Sequence, residues 1–451
     1  MTVQHTRDLQ DLTQGNISRH LVRLAVPLVF GNILQEFYNT IDAFVVGRFA
    51  GQAEFAAIGV AGTVMNLFLF ALVGSCTGFS VLFARAYGKE DMKELRRQEL
   101  SALVVGLICT AVLMLIGLIG MHPLLSILQT PVEIRAYTAS YLRWIFLSLP
   151  AAFFYNLFAS LLRASGDTKA AMMVLATAVT ANLLLDLLLV AGLSGGIEGA
   201  AAATALTQLF SAVVCFFYLR FTHPELTLSR ADCSLSRLRL CTTIRFGLIT
   251  SLHQCSLYLG KMLVQGAVNT AGTDVISAYT AGTRIEGFAN SIGSSGSSAT
   301  SILTAQNHGA GRKDRVQSIF RCSLCWLAGL GIFSAVIMYA FAPHTIRLLL
   351  GSEGNAFGPA MQYLRLVSLF YLLCFTGNTF TGYYSGTGRV MLPFLGAFGH
   401  ISIRVVLSWL LFPYLGLNAV AIATGIGWIC ANAFWGGVKL RERSGEEKQE
   451  V

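Results

Sequence analysis

"AVPLVFGNILQEFYNTIDAFVVG" occupies Ala25–Gly47. At about 1.5 Å per residue it makes a helix of roughly 35 Å, enough to cross a bilayer core of about 30 Å. Yet it holds Pro27, Asn32, Gln35, Glu36, Asn39 and Asp42. A carboxylate at mid-membrane costs on the order of 2.5–3.5 kcal/mol on insertion scales, so two in one spanning helix need a reason. On a helical wheel Gly31, Asn32, Gln35, Glu36, Tyr38, Asn39 and Asp42 fill one sector of roughly 160°. Phe30, Ile33, Leu34, Phe37, Ile41, Phe44 and Val45 fill the other side. Such a helix turns one face to lipid or protein and the other to a wet cavity or a buried polar network. Asn and Gln also serve as hydrogen-bonding links between membrane helices. Pro27 removes a backbone hydrogen bond and offers a kink or hinge, although proline is ordinary in membrane helices.

Outward from this stretch the composition agrees. The 451-residue chain is 54% hydrophobic and only 12% charged, where soluble domains average about 25% charged. It reads as an all-α polytopic membrane protein. The net charge of +9 is read as cytoplasmic-loop Lys and Arg, not as a nucleic-acid footprint. No cleavable signal is expected, because residues 1–16 are polar and the first apolar run is too long for one. The ten cysteines are scattered mostly through apolar helices, which argues against a disulfide framework. Cys322 and Cys325 form a lone C-x-x-C, with no His or second pair to make a metal site of it.

Twelve apolar spans are predicted, at about 20–47, 54–84, 98–120, 137–162, 170–192, 198–219, 242–270, 275–305, 318–342, 362–385, 390–413 and 417–438. The N-terminal segment, every second loop and the C-terminal tail carry 24 of the 32 Lys and Arg. The alternate loops carry five: Arg48, Arg135, Arg143, Arg347 and Arg365. The positive-inside rule then places both termini in the cytoplasm of a cell-membrane protein. The halves repeat. Tyr141-Leu142-Arg143 returns as Tyr363-Leu364-Arg365, Asn156 as Asn378 and Gly166 as Gly388, all at a spacing of 222. "ARAYG" (84–88) parallels "AQNHG" (305–309) at 221, and "GIEGAAAAT" (196–204) parallels "GLNAVAIAT" (416–424) at 220. Two six-helix lobes in parallel repeat are a transporter plan, with the substrate path between the lobes. The expected division is a cytoplasmic segment 1–19, an N-terminal lobe 20–219, a linker 220–241, a C-terminal lobe 242–438 and a cytoplasmic tail 439–451.

Depth selects the residues with chemistry. Asp42 lies five residues before the outer end of span 1, and Asp186 about five before that of span 5. Asn182 is one turn deeper on the same face as Asp186. Thr204 is about six residues inside span 6, which enters from outside. Two carboxylates, an amide and a hydroxyl at one depth suit a hard monovalent cation, or a proton shared between the acids. Facing apart, they would do neither. In the second lobe Lys261 and Glu286 lie at similar depths and are candidates for a charge pair in the central cavity. Arg284 is near enough to compete for Glu286, and Arg404 reads as a structural anchor. "GSSGSSATS" (293–301) reads as close helix packing.

The chain resembles the multidrug and toxic compound extrusion (MATE) family of secondary transporters, over about residues 15–440. The resemblance rests on the order and spacing of "YNTIDAFVVGRFAG" (38–51), "ARAYGKED" (84–91), "LLRASGDT" (161–168), "NLLLDLLLVAG" (182–192) and "GIEGAAAAT" (196–204). It implies an exporter that exchanges small cationic or amphipathic organic compounds for H⁺ or Na⁺, with no cofactor beyond that ion. It also implies a cation site at Asp42, Asn182, Asp186 and Thr204, and a proline at Pro27 linked in some members to bending of the first helix. Some members instead place an acid on the tenth helix; "YLRLVSLFYLLCFTGNTFTGYYSG" (363–386) has none. Gln35, Glu36, Tyr38, Asn39, Lys261 and Glu286 are the candidates for the substrate cavity, and a monomer is expected.

The nearest rival reading is a flippase for lipids or lipid-linked sugars, whose cavities often carry several Arg and Lys. The mixed or acidic set Glu36, Asp42, Lys261 and Glu286 favours cationic cargo instead. "GLSGG" (192–196) fits the G-x-S-x-G of a serine hydrolase, but it lies in a Gly-rich turn at an outer helix end. His253 and His400 are remote from it in sequence. A channel is disfavoured by the repeat and the internal carboxylates.

Overall fold

In the computed structural model the described residues are 11–128, 130–228, 234–351 and 354–447, and among them every regular element is helical. The side chains of Asn39, Thr40, Ile41, Ala43, Gln52 and residues 443–447 lie outside that description. So do residues 1–10 of the expected N-terminal segment, 229–233 of the linker and 448–451 of the tail. The helices are α1 Ile17–Phe49, α2 Gln52–Gly88, α3 Met92–Ile127, α4 Val132–Ala164, α5 Thr168–Asp186, α6 Gly196–Thr222, α7 Arg237–Asn269, α8 Thr273–Gly309, α9 Lys313–Leu350, α10 Phe357–Ser368, α11 Tyr371–Gly386, α12 Met391–Leu415 and α13 Leu417–Glu447. A π-helical turn, Leu187–Gly192, follows α5 without a break.

Nine of these are long and apolar enough to cross a membrane, and α10 with α11, bent by 50°, makes a tenth. Helices α7 and α8, at 33 and 37 residues, have the length. Their Arg, Lys, Glu and many Ser, Thr and Gly lower the hydropathy below that of the rest. The bend between α10 and α11 contains neither Pro nor Gly. Phe370 N–H bonds Val367 O at 3.0 Å, a tightened i→i+3 turn that ends α10. Two of the turns between helices are built from side-chain caps: Asp91 accepts from Glu94 N–H at 2.9 Å and Asp167 from Ala170 N–H at 3.1 Å.

The chain divides into two compact units, one of them mainly Val26–Gln254 and the other mainly Cys255–Val451. Gly15–Ala25, the start of α1, groups with the second unit, and Gly309–Gly311 with the first. Lipid tails are as apolar as Leu, so helix association inside a membrane relies on close packing rather than on escape from water. Both units show how. In the first, α4 runs through the centre. Its Phe146 and Phe153 seat against Gly117 and Gly106 of α3, where a Cβ would meet the rings at 2.7 and 2.1 Å. In the second, Tyr363, Tyr371 and Phe375 are fully buried. Gly282 makes room for Tyr363, Gly331 for Phe375 and Gly396 for Trp435.

Each unit repeats the other's local detail. Asn156 Nδ2 donates to Ala152 O at 2.8 Å, and Asn378 Nδ2 to Cys374 O at 3.1 Å. The turns after α4 and α11 place Gly166 and Gly388 at φ of +94° and +76°, a region closed to most side chains. Gly196, the first residue of α6, and Gly416, just before α13, have φ of +53° and +54°. The repeat spacing is 222 from Tyr141 to Gly166 and 220 from Gly196. α5 with its π turn, Thr168–Gly192, and its counterpart α12, Met391–Leu415, are both 25 residues long. The spacing contracts in the connections: Leu193–Gly195 separate the π turn from Gly196, whereas Gly416 directly follows α12.

Candidate functional site

Asp42, Asn182, Asp186 and Thr204 are all buried inside the first unit; Asp42 and Asp186 adjoin each other, Thr204 adjoins them through Tyr38 and Tyr141, and Asn182 lies one turn before Asp186 on α5. The four are 8%, 1%, 0% and 8% exposed. The Asp42 and Asp186 carboxyls are side-chain neighbours, within hydrogen-bonding reach when a proton lies between them. Without that proton they have only acceptors to offer each other: Asp42 Oδ1 and both oxygens of Asp186 are buried with no donor. Asn182 Nδ2 is likewise buried with no acceptor. Tyr38 OH donates to Thr204 Oγ1 at 3.3 Å. One side chain of α5 thus meets one from α1, while Tyr38 of α1 reaches Thr204 of α6. The π turn begins immediately after Asp186, and such turns recur where a helix must aim a functional side chain.

Tyr141 was legible only as part of the internal repeat. Its hydroxyl adjoins Thr204, beside Tyr38, Asp42 and Asp186. Nothing in a linear reading separates this tyrosine from an ordinary core aromatic. Its recurrence with Leu and Arg at a spacing of 222 was the available signal.

The other candidates lie differently. Pro27 sits inside α1, two residues into the first unit. Gln35 and Glu36 are exposed and Tyr38 is half-buried. Asn39's side chain is outside the described residues. In the second unit Lys261 is exposed and Glu286 buried. Glu286 Oε1 accepts from Tyr363 OH at 2.5 Å, and Tyr371 OH lies 3.3 Å from the Glu286 carbonyl oxygen and 3.5 Å from Oε2. Of the positive charges acting on that carboxyl, Arg404 is the strongest and Lys261 the lesser. Arg284 is exposed. Arg404 Nη2 lies 3.5 Å from Tyr279 OH. Ser194 of "GLSGG" is an exposed residue of the turn into α6, at φ +52°. Beside that turn the Glu54 carboxylate takes the Ile197 N–H at 2.5 Å, holding the N-terminus of α6.

Two carboxylates this close in a low-dielectric setting repel by on the order of 4 kcal/mol at about 4 Å. A buried carboxylate without donors adds a desolvation cost of several kcal/mol. One positive charge between them removes the repulsion and halves the buried charge. Such an arrangement can hold a single small cation, a proton or Na⁺.

Comparison with known proteins bears on the whole chain. The MatE family model matches residues 27–188 and 250–410, one segment in each half. The "Probable multidrug resistance protein YoeA" of Bacillus subtilis is 25% identical over 432 residues, covering 94% of this chain and 93% of that protein. A solved structure described as "MATE in the bent conformation" superposes with a TM-score of 0.90 at 22% identity, covering 98% of this chain and 99% of that one. A second, "MATE in the straight conformation", gives 0.87 at 22% identity, covering 97% and 99%.

Proposed function

Since the chain belongs to the MatE family, we propose that it is a cation-coupled exporter of cationic or amphipathic organic compounds, working by antiport. That it is a multi-pass membrane transporter follows from the family and the helices together. The observation that carries the coupling is the buried pair Asp42–Asp186, three of whose four oxygens are buried without a donor among the described residues. One H⁺ or Na⁺ entering this site takes the pair from two negative charges to one. Its demand for water falls, and α1 repacks against α5 and α6. An ion can shift the equilibrium between two states only by its differential affinity for them. The site supplies that difference if a movement of α1 separates Asp42 from Asp186. Pro27 is the proposed pivot, since a helix bends most readily where a backbone hydrogen bond is already missing. The bent and straight structures of similar fold support this reading. Gln35 and Glu36, exposed on α1, are the proposed contacts for a cationic cargo. The protein is proposed to act as a monomer in the cell membrane with both termini in the cytoplasm.

The test is efflux of a panel of organic cations from proteoliposomes under an imposed pH or Na⁺ gradient. Wild-type protein should move substrate uphill under one of the two. Asp42→Asn should abolish gradient-driven export while insertion and thermal unfolding stay unchanged. Export by Asp42→Asn at the wild-type rate would place the coupling elsewhere.

A further inference from the structure

The first turn of α2 rests on two glycines, one from each of two other helices of the first unit. Phe55 lies against Gly47 near the end of α1, where a Cβ would meet the ring at 3.0 Å. Glu54 lies against Gly196 at the start of α6, where a Cβ would meet Oε2 at 2.6 Å and Oε1 at 3.0 Å. The same carboxylate accepts the Ile197 N–H at 2.5 Å. A carboxylate is stabilised at a helix N-terminus by the unpaired N–H groups and the dipole there. Gly196 also has φ +53°, where most side chains are strained. The start of α6 thus favours glycine on two counts, and Glu54 fills the space left by the missing Cβ.

This end of α6 is itself held in place. Gly195 N–H donates to Leu189 O at 2.9 Å, which closes the turn from the π segment. A Cβ on Gly199 would lie 2.9 Å from that same carbonyl oxygen. Ser140 of α4 donates to Glu198 Oε1 at 2.5 Å. Glu54 therefore fastens the α1–α2 turn to a point that α4 and the π turn already hold. Asp42 lies on α1 between Gly47 at this fastening and Tyr38, whose hydroxyl donates to Thr204 of α6 at 3.3 Å.

The second unit is built differently. At the repeat spacing of 220, Asp274 stands for Glu54 and Gly416 for Gly196. Asp274 is exposed, and a Cβ on Gly416 would meet nothing within 4 Å. At 221, Val268 stands for Gly47. The fastening belongs to the unit whose first helix carries Asp42, and the repeat does not reproduce it.

We propose that Glu54 is a positioning residue for Asp42: with Phe55 it pins the C-terminal end of α1 to α6, so that α1 moves only between Pro27 and Gly47. Held at that end, the helix bows rather than swings, and the pin limits how far Asp42 shifts. The consequence for ion coupling rests on the function proposed above for Asp42 and Pro27. The persistence of the pin does not.

The test reads the pin as a distance. Spin labels are placed at Arg48→Cys on α1 and Val213→Cys on α6, both exposed positions, in the full-length cysteine-free protein in lipid nanodiscs. Double electron–electron resonance is recorded in acidic Na⁺ buffer, which loads the coupling site, and in alkaline Na⁺-free buffer, which empties it. The unaltered pin should give one narrow distance, the same in both buffers. Glu54→Ala should broaden it or add a second distance. Glu54→Gln, whose amide oxygen still accepts the Ile197 N–H, should restore the narrow one; a role in charge alone would not allow that rescue. A distance that shifts between the two buffers with Glu54 and Phe55 intact overturns the proposal, and this reading needs no pin variant to fold. A Glu54→Ala distribution as narrow as that of the intact pin also overturns it. If Glu54→Ala does not insert, Phe55→Ala, which loosens the α1 side, must broaden the distribution instead. A failure of the coupling site would appear separately, as normal export by Asp42→Asn.

Discussion

His223, just beyond the end of α6, shows what a single residue does at a membrane-helix terminus. Its Nε2 lies 3.3 Å from Asp167 Oδ2 and its Nδ1 3.3 Å from Glu225 Oε1. Tyr218 OH also donates to Asp167 Oδ2, at 3.0 Å. Burial opposes charge on the imidazole, but the two carboxylates outweigh it and raise its pKa to about 9. Burial would also raise Asp167; the His223, Ala170 and Tyr218 donors outweigh it and hold that carboxyl below its usual range. His223 therefore contributes stability that is complete below the free-imidazole value of about 6.5 and is lost as pH rises through about 9. Asp167 contributes above the ordinary carboxylate range and loses its share as pH falls through its own lowered value. His223→Gln should cost about 1–2 kcal/mol near pH 6 and almost nothing near pH 10, after allowance for solvent screening. Thermal unfolding of the two proteins at both pH values checks this. An equal loss at both would mean that the imidazole contributes packing only. Tyr363→Phe removes a hydrogen bond to a buried carboxylate, worth about 1.5–3 kcal/mol. It should lower the unfolding midpoint, with Glu286→Gln recovering part of the loss.

At the scale of elements, missing atoms decide as much as the atoms present. A Cβ on Gly382 of α11 would lie 2.4 Å from Ser297 O and 2.9 Å from Thr300 Cβ of α8. Backbone cannot yield there as a side chain would, so Gly382→Ala should destabilise the second unit by about 1–3 kcal/mol. Gly287 on α8, with nothing near its Cβ position, provides the control: Gly287→Ala should be neutral or slightly stabilising. Thermal unfolding of the two variants distinguishes them. In α1 the reverse experiment applies. Pro27→Ala restores a backbone hydrogen bond and should leave stability equal or higher. Uphill export should fall severalfold at unchanged substrate affinity, because the helix no longer bends easily. A transport rate equal to wild type would remove Pro27 from the mechanism.

For the whole molecule, the distribution of Lys and Arg predicts orientation. With both termini cytoplasmic, Ser234 before α7 faces inward and Glu133 at the start of α4 faces outward; both are exposed. In a cysteine-free chain carrying one added cysteine, a membrane-impermeant maleimide outside intact cells should label Glu133→Cys and not Ser234→Cys. The opposite pattern would invert the topology. The nine exposed or buried thiols described here make the cysteine-free background necessary.

The sequence alone determined the two-lobed helical architecture, because hydropathy, loop charge and an internal spacing of 220–222 are properties of the chain in one dimension. It also brought Asp42, Asn182, Asp186 and Thr204 to one depth, since depth along a helix is a count of residues. It could not determine which way a side chain points about a helix it does not belong to. Tyr141 beside the acids and Tyr363 on Glu286 are both cases of that. Lys261 was the candidate partner for Glu286, and the packing of α8 against α10 and α11 brings it the Tyr363 and Tyr371 hydroxyls. The π turn after Asp186 was hidden for a related reason. An extra residue in a helix leaves composition unchanged, and it becomes visible only when backbone hydrogen bonds are traced. Tertiary structure turned two carboxylates at a common depth into a buried neighbouring pair, with three of its four oxygens lacking a donor among the described residues, because only packing decides which side chains of separate helices face each other.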